Sequence, residues 1–149
     1  MEAAYSPTQE KPSLKIARED ARIKQWLDNL GYQQRDIALV AEDMDTLPVG
    51  AIWCRIFQAD QIVGEVGYVS NAIPAIAIGV EPDKRDQGVG SLLLNKLTSI
   101  AYDYGYEGLS LCVGETNPAL RLYLRNGFEI TRQEGSTLIM VKNLLNPGC

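Results

Sequence analysis

The sequence predicts an α/β fold of the α+β type, because hairpin-forming strands and strand-to-helix transitions occur along the same chain. Ala75–Val80 alternates small with β-branched residues, which is typical of a strand. Directly after it, apolar residues from Val89 to Tyr104 recur at helical spacing, and Gly105 is expected to end that helix. Leu109–Val113 predicts a second buried strand, so strand and helix alternate in the middle of the chain.

The N-terminal part is predicted to form a helix and then a hairpin. Residues 1–12 are polar and carry two prolines, so we expect a flexible tail there. Ser13 can cap a helix that runs to about Leu30 with apolar residues along one side. Asp36–Glu42 and Gly50–Phe57 are then expected to pair as antiparallel strands.

The remaining strands are expected at the C-terminus. Phe128–Gln133 and Ser136–Val141 predict a closing hairpin around a short turn. Ile62–Tyr68 either extends one strand or begins another. No internal repeat or low-complexity linker divides the chain, so we expect a single domain over residues 1–149.

Composition excludes several classes of function. The net charge of −5 argues against a nucleic-acid surface, which needs clustered Lys and Arg, but permits an amine substrate. The chain has no histidine, which excludes Ser-His and Cys-His nucleophiles and histidine metal sites. The three cysteines, Cys54, Cys112 and Cys149, lack a metal-binding spacing, so no metal is expected. Unpaired thiols and the absence of a long apolar stretch predict a cytoplasmic protein without a membrane partner.

The turn from Lys84 to Gly90 is the candidate ligand site. It joins a strand to a helix N-terminus, where unpaired N–H groups and glycines favour phosphate binding. The Gly-Lys-Ser/Thr ending of a P-loop is absent, and Leu93 stands where the dinucleotide pattern needs a third glycine. A glycine-rich turn that binds no ligand is the alternative.

Two motifs resemble those of one family. Arg85-x-x-Gly88-x-Gly90 resembles the coenzyme A signature of the GCN5-related N-acetyltransferase (GNAT) family. Asn117–Phe128 carries Asn, Ala, Tyr and Gly-Phe in the order of that family's other hallmark. The resemblance covers roughly residues 36 to 145. It implies a mixed, mostly antiparallel twisted sheet flanked by helices, and acetyl transfer from acetyl-CoA to a small-molecule or peptide amine.

The same resemblance implies a set of coenzyme-binding residues. A strand end would hold the pantetheine amides, the turn would hold the pyrophosphate, and the adenosine end would contribute less. Arg85 can add charge-assisted bonds to phosphate or be a solvated loop charge, and Asn117 can bond the coenzyme, cap a helix, or do both. The implied residues are Ile78, Gly79, Val80, Arg85, Gln87, Gly88, Val89, Gly90, Ser91, Asn117 and Tyr123.

Two catalytic roles are needed, an acid for the leaving thiolate and a base for the amine, and the base is the harder of the two to assign from the sequence. The resemblance implies that Tyr123 protonates the leaving thiolate, with packing of its ring as the alternative role. No carboxylate lies within Ala75–Val80, where many relatives place a base, so Glu65 and Glu81 are the nearest candidates. Glu65 is the predicted base, and a surface carboxylate without a catalytic role is the alternative for each of the two residues. A water chain that takes the proton of the amine is the other possibility.

Three more residues are predicted to line the acceptor cavity. Trp53 and Tyr68 have core packing as their alternative role. Arg55, between them in the chain, is assigned to the same wall.

The chain departs from the family pattern at its start. Members usually start with a strand and a helix before the helix predicted at residues 13–30, and that first strand is expected to be missing here. The Asp36–Glu42 strand would then be an uncovered sheet edge, which predicts a homodimer that pairs there. This departure leaves two functions open, an N-acetyltransferase and a non-catalytic acyl-CoA-binding module on the same fold.

Overall fold

The computed structural model describes residues 13–32 and 35–145. The predicted flexible tail, residues 1–12, lies outside the described residues. So does any strand that would precede the first helix.

The single helix predicted from Ser13 to about Leu30 is wrong, because the chain forms two short helices there. They are α1 (Leu14–Glu19) and α2 (Ala21–Leu27). The chain is extended at Asp20, with φ −72° and ψ 118°, and its carboxylate accepts the Arg22 N–H at 2.8 Å. Asp20 therefore caps the second helix, and this local bond overrides the apolar periodicity that runs through it.

Six strands form one mixed sheet, in the order β1-β2-β3-β4-β6-β5. All neighbours are antiparallel except β3 and β4, which are parallel. The predicted fold class is confirmed. The strands are β1 (Ile37–Glu42), β2 (Pro48–Arg55), β3 (Ala75–Val80), β4 (Gly108–Gly114), β5 (Glu129–Glu134) and β6 (Thr137–Asn143).

Two further helices lie between these strands. Helix α3 (Val89–Asp103) connects β3 to β4, and helix α4 (Ala119–Arg125) connects β4 to β5. Gly105, at φ +81°, follows the end of α3 as predicted. Ile62–Tyr68 forms no strand, and 3-10 turns occur at Ala59–Gln61 and Pro82–Lys84.

The first strand, β1, is an edge of the sheet. Within the described residues it pairs with β2 alone, and Val40 on it is 62% exposed. The homodimer expected at this edge stays a prediction.

The main core lies between the sheet and α3. Side chains from α3 and from the inner face of β2, β4 and β6 are almost fully removed from water. A smaller cluster of Phe57, Val66 and Ala75 packs on the opposite face, where the Trp26 ring meets Phe57 edge-on at 4.8 Å. The largest buried members of the main core include Phe128, Ile52, Leu94, Leu97, Leu109, Leu111 and Met140.

Arg55 belongs to a buried ion pair that joins α2 to the sheet. Its guanidinium lies 2.7 Å from the Asp36 carboxylate, and the two side chains are 4% and 3% exposed. The same guanidinium donates to the carbonyls of Gln25 and Asp28, at 2.9 and 2.8 Å, at the C-terminal end of α2. With a further bond from Nε to Asp36 at 3.3 Å, all three side-chain nitrogens of Arg55 are engaged within the fold, and its place in an acceptor wall stays a prediction.

Candidate functional site

The parallel strands β3 and β4 separate soon after they meet. They pair at Ala75 and Ser110, where the Ser110 N–H donates to the Pro74 carbonyl at 3.0 Å. Farther along, the backbone N–H and C=O groups of every second residue of β3 form hydrogen bonds with β2. The same pattern continues just past the end of β3, where the Glu81 N–H donates to the Val49 carbonyl at 2.9 Å. The backbone groups of the alternate residues, Ile78 and Val80, therefore face the opening between the strands.

A tight turn leads from this opening into α3. Asp86 and Gly88 both have positive φ, +58° and +86°. Arg85 donates from Nε to the Val80 carbonyl at 3.0 Å, which fixes its side chain beside the strand end. Gln87 donates from its side chain to the Asp83 carbonyl at 2.9 Å and so closes the turn.

The N-terminus of α3 has no side-chain cap. Gly88 is the N-cap residue, and it carries no side chain that could accept the first N–H groups of the helix. These groups and the positive end of the helix dipole are available to an anion that approaches Gly88. A Cβ on Gly88 would meet nothing within 4 Å, so the space beside this helix end is open.

Helix α4 packs against the first turn of α3. A Cβ on Gly90 would lie 2.9 Å from Cδ2 of Leu122, so glycine permits the close approach of the two helices. Asn126 donates to the Ser91 hydroxyl at 3.3 Å in the same contact. At the start of α4, Asn117 accepts the Ala119 N–H at 2.9 Å, so it does cap this helix as one of its predicted roles requires.

These elements enclose a cavity of about 910 Å³, which lies in the range of ligand sites. Most of the predicted coenzyme-binding residues line it, but Gln87 and Val89 are not among its lining side chains. Gln87 is engaged in the turn, and Val89 packs against the main core. The predicted residues that line the cavity are Ile78, Gly79, Val80, Arg85, Gly88, Gly90, Ser91, Asn117 and Tyr123.

The cavity is lined by an excess of positive charge, although the chain as a whole carries −5. Four cationic side chains line it, against the two carboxylates of Asp86 and Glu115. Sequence reasoning missed Arg121 and Arg125, whose spacing of four residues within a helical motif could have placed them on one face. The four cationic residues are Lys84, Arg85, Arg121 and Arg125.

Tyr123 is buried at one side of this cavity. The residue is 8% exposed, and its ring meets Phe128 edge-on at 6.0 Å. Burial raises the pKa of the phenol well above its ordinary value, and a negative charge on the nearby Cys112 would raise it further. The phenol therefore keeps its proton at neutral pH, and within residues 13–32 and 35–145 its hydroxyl has no hydrogen-bond partner.

The loop that carries Glu65 lies against β4. At Gly67, φ is +79° and a Cβ would stand 2.3 Å from the Leu111 carbonyl carbon, so only glycine fits this position. Gln25 of α2 holds the loop through both backbone groups of Val63, at 2.6 and 3.0 Å. The Glu65 side chain itself is exposed.

Cys112 interacts electrostatically with both Glu65 and Tyr123, although Glu65 is not among the residues that line the cavity. Burial raises the pKa of the half-buried Cys112 thiol to about 11, and the charge of Glu65 contributes to this rise. A negative charge on Cys112 would in turn raise the pKa of Tyr123. Glu81, the other candidate base, follows the end of β3, and its side chain is exposed.

The other acceptor-wall candidates lie outside the cavity lining. Trp53 stands opposite Ala77 in the sheet, and its buried indole N–H has no hydrogen-bond partner among the described residues. Tyr68 packs beside the smaller cluster and donates its hydroxyl to Asn71 at 2.6 Å.

Two kinds of feature are absent from residues 13–32 and 35–145. No three or more His, Cys, Asp or Glu side chains there are grouped so that they could hold a metal ion. No helix in that part is long and apolar enough to cross a membrane.

Comparisons with known proteins agree with this architecture. The chain is 32% identical over 104 residues, 68% of its length and 67% of the relative's, to the peptidyl-lysine N-acetyltransferase YjaB of Salmonella typhimurium. A GCN5-related N-acetyltransferase from Kribbella flavida has a similar structure, with a TM-score of 0.69 at 18% identity over 95% of this chain and 84% of that one. The PaiA N-acetyltransferase of Thermoplasma acidophilum, solved in complex with coenzyme A, has a TM-score of 0.61 at 20% identity over 85% and 74%.

A sequence model of one family covers most of the chain. The acetyltransferase (GNAT) family model matches residues 3–128, which include β1 to β4, the turn before α3 and all of α4. The predicted resemblance is confirmed, and the chain belongs to the acetyltransferase (GNAT) family.

Proposed function

We propose that this protein transfers the acetyl group of acetyl-CoA to a primary amine by direct attack. The observation that carries the proposal is that one cavity contains the open edge of β3, the uncapped N-terminus of α3 and Tyr123. The family assignment supports acetyl transfer as the reaction class. A peptide lysine is the first acceptor to test, because the Salmonella relative is named for that substrate.

The coenzyme would lie across the N-terminus of α3. Its pyrophosphate would accept hydrogen bonds from the N–H groups that follow Gly88, and Arg85 would add a positive charge beside them. Its pantetheine amides would bond the backbone groups of Ile78 and the N–H of Val80, which face the opening between β3 and β4, since the Val80 carbonyl already accepts a bond from Arg85. The structure of the PaiA enzyme with coenzyme A supports a coenzyme site in a fold of this kind.

Gly88→Glu is expected to lower acetyl-CoA affinity by at least about tenfold, because the new carboxylate enters the phosphate site and repels the pyrophosphate. The new Cβ meets no protein atom within 4 Å, so apart from the backbone strain of a non-glycine residue at φ +86° its effect falls on the cavity. Isothermal titration calorimetry measures the change.

Gly105→Glu is the matched control for this experiment. Gly105 has φ +81°, close to the +86° of Gly88, and a Cβ there also meets nothing within 4 Å, but it lies outside the cavity lining. The control variant carries the same charge change and similar backbone strain, and it should bind acetyl-CoA as the wild type does. Equal affinity of the Gly88 variant and the control would refute the phosphate site.

Tyr123 would assist departure of the coenzyme thiolate. The amine nitrogen attacks the thioester carbonyl carbon, the carbon–sulfur bond breaks, and the electron pair goes to sulfur. A thiol has a pKa of about 8.5, so full proton transfer from a phenol of raised pKa is unfavourable. Tyr123 would therefore act first as a hydrogen-bond donor to the sulfur as its negative charge develops.

Two proton transfers complete the reaction. The attacking amine loses a proton to a base or to water, and the coenzyme sulfur gains one. Glu65 is the proposed base, because Gly67 of its loop packs against β4 and the charge of Glu65 raises the pKa of Cys112 on that strand, whose own charge would raise the pKa of Tyr123. Glu65→Gln should lower turnover at neutral pH by roughly tenfold, a small acid–base effect because water can replace an exposed carboxylate. The turnover of Glu65→Gln should recover as the pH rises, whereas the matched variant Glu107→Gln should follow the wild-type pH profile. An unchanged profile for Glu65→Gln would exclude it as the base.

A further inference from the structure

Arg121 and Arg125 have no evident structural role in the part of the chain that the structure describes. Neither guanidinium forms an ion pair or a hydrogen bond within residues 13–32 and 35–145. Both side chains are exposed, and both line the cavity. Their only shared surroundings are thus the cavity and solvent.

Two features of their placement are unfavourable for the helix that carries them, although Arg125 itself lies in the last turn, where the helix dipole favours a cation. A separation of four residues brings two like charges onto one face of α4, where they repel each other. Arg121 lies in the first turn of α4, near the positive end of the helix dipole, where a cation is unfavourable. An anionic ligand bound between the two guanidinium groups would remove both penalties.

The geometry of α4 indicates which part of the coenzyme would meet them. Leu122 and Asn126 face α3, as their contacts with Gly90 and Ser91 show. Because a helix turns by about 100° per residue, Tyr123 lies to one side of this contact and the two arginines lie to the other. A coenzyme with its sulfur beside Tyr123 and its pyrophosphate at α3 would therefore extend its nucleotide end toward the arginines.

We propose that Arg121 and Arg125 bind the 3′-phosphate of the coenzyme ribose and make the protein prefer coenzyme A to dephospho-coenzyme A. This inference rests on the proposed function, because it needs the coenzyme in the cavity. A phosphomonoester is more negative than either group of the diphosphate, and the guanidinium fork fits its oxygens. The adenosine end, expected from the sequence to contribute less, thus becomes a determinant of specificity.

The test measures calorimetric affinities for coenzyme A and dephospho-coenzyme A. The wild type should bind coenzyme A roughly tenfold more tightly, the effect of a few charge-assisted bonds at an exposed site. Arg121→Gln and Arg125→Gln should each reduce this preference, and the double variant should abolish it with little change in dephospho-coenzyme A affinity. Arg18→Gln, an exposed arginine on α1, is the matched control and should keep the wild-type preference.

Three outcomes would overturn the inference. Equal loss of affinity for both ligands in the double variant would place the arginines at the diphosphate; it would overturn the 3′-phosphate assignment and leave the proposed coenzyme site standing. Loss of the preference in Arg18→Gln would show an effect of overall charge. Failure of the wild type to bind either ligand would overturn this inference and the proposed function together.

Discussion

Tyr123→Phe is expected to lower turnover by roughly 10²–10⁴-fold, with acetyl-CoA affinity and melting temperature nearly unchanged. The substitution keeps the ring that packs against Phe128 and removes only the hydroxyl. That hydroxyl has no hydrogen-bond partner among the described residues, so its loss should leave the fold intact. Release of coenzyme thiol in the presence of an amine measures turnover.

Tyr102→Phe is the matched control for the loss of a phenol. Tyr102 lies on α3, is 56% exposed and does not line the cavity. Its variant should keep wild-type turnover. If Tyr123→Phe also retained it, Tyr123 would have only a packing role.

Asp36→Asn is expected to lower the free energy of unfolding by roughly 3–5 kcal/mol. The asparagine has nearly the same shape, but it leaves the Arg55 guanidinium buried without its counter-charge. Arg55 also holds the C-terminal end of α2, so the change should loosen the contact between this helix and the sheet. Urea unfolding followed by circular dichroism measures the loss.

Arg132→Gln tests an ion pair of the exposed kind. Arg132 and Glu134 are about half exposed, so breaking their pair should cost no more than about 1 kcal/mol. A similarly small loss for Asp36→Asn would mean that the buried pair contributes little to stability.

The turn before α3 is the part of the site that local sequence predicted best. Its glycines are fixed by backbone geometry, as the φ of +86° at Gly88 and the close contact at Gly90 show. Such requirements act over a few residues, so they produce a motif that can be recognised in the sequence. The strand and helix on either side follow from apolar periodicity in the same way.

Long-range contacts could not be predicted from neighbouring residues. Arg55 pairs with Asp36, 19 positions earlier, and with carbonyls of a helix that precedes both. The break between α1 and α2 depends on the hydrogen bond from the Arg22 N–H to the Asp20 carboxylate. The pattern of apolar residues does not indicate this bond. The positive lining of the cavity likewise becomes evident only when α4 is placed beside α3.

Amine-dependent release of coenzyme thiol from acetyl-CoA tests the central claim most directly. We expect the wild type to release thiol with a lysine-containing peptide or another amine in a panel, Gly105→Glu to do the same, and Gly88→Glu and Tyr123→Phe to be impaired. Tight acetyl-CoA binding without release for any amine would contradict the claim and would indicate a non-catalytic coenzyme-binding module.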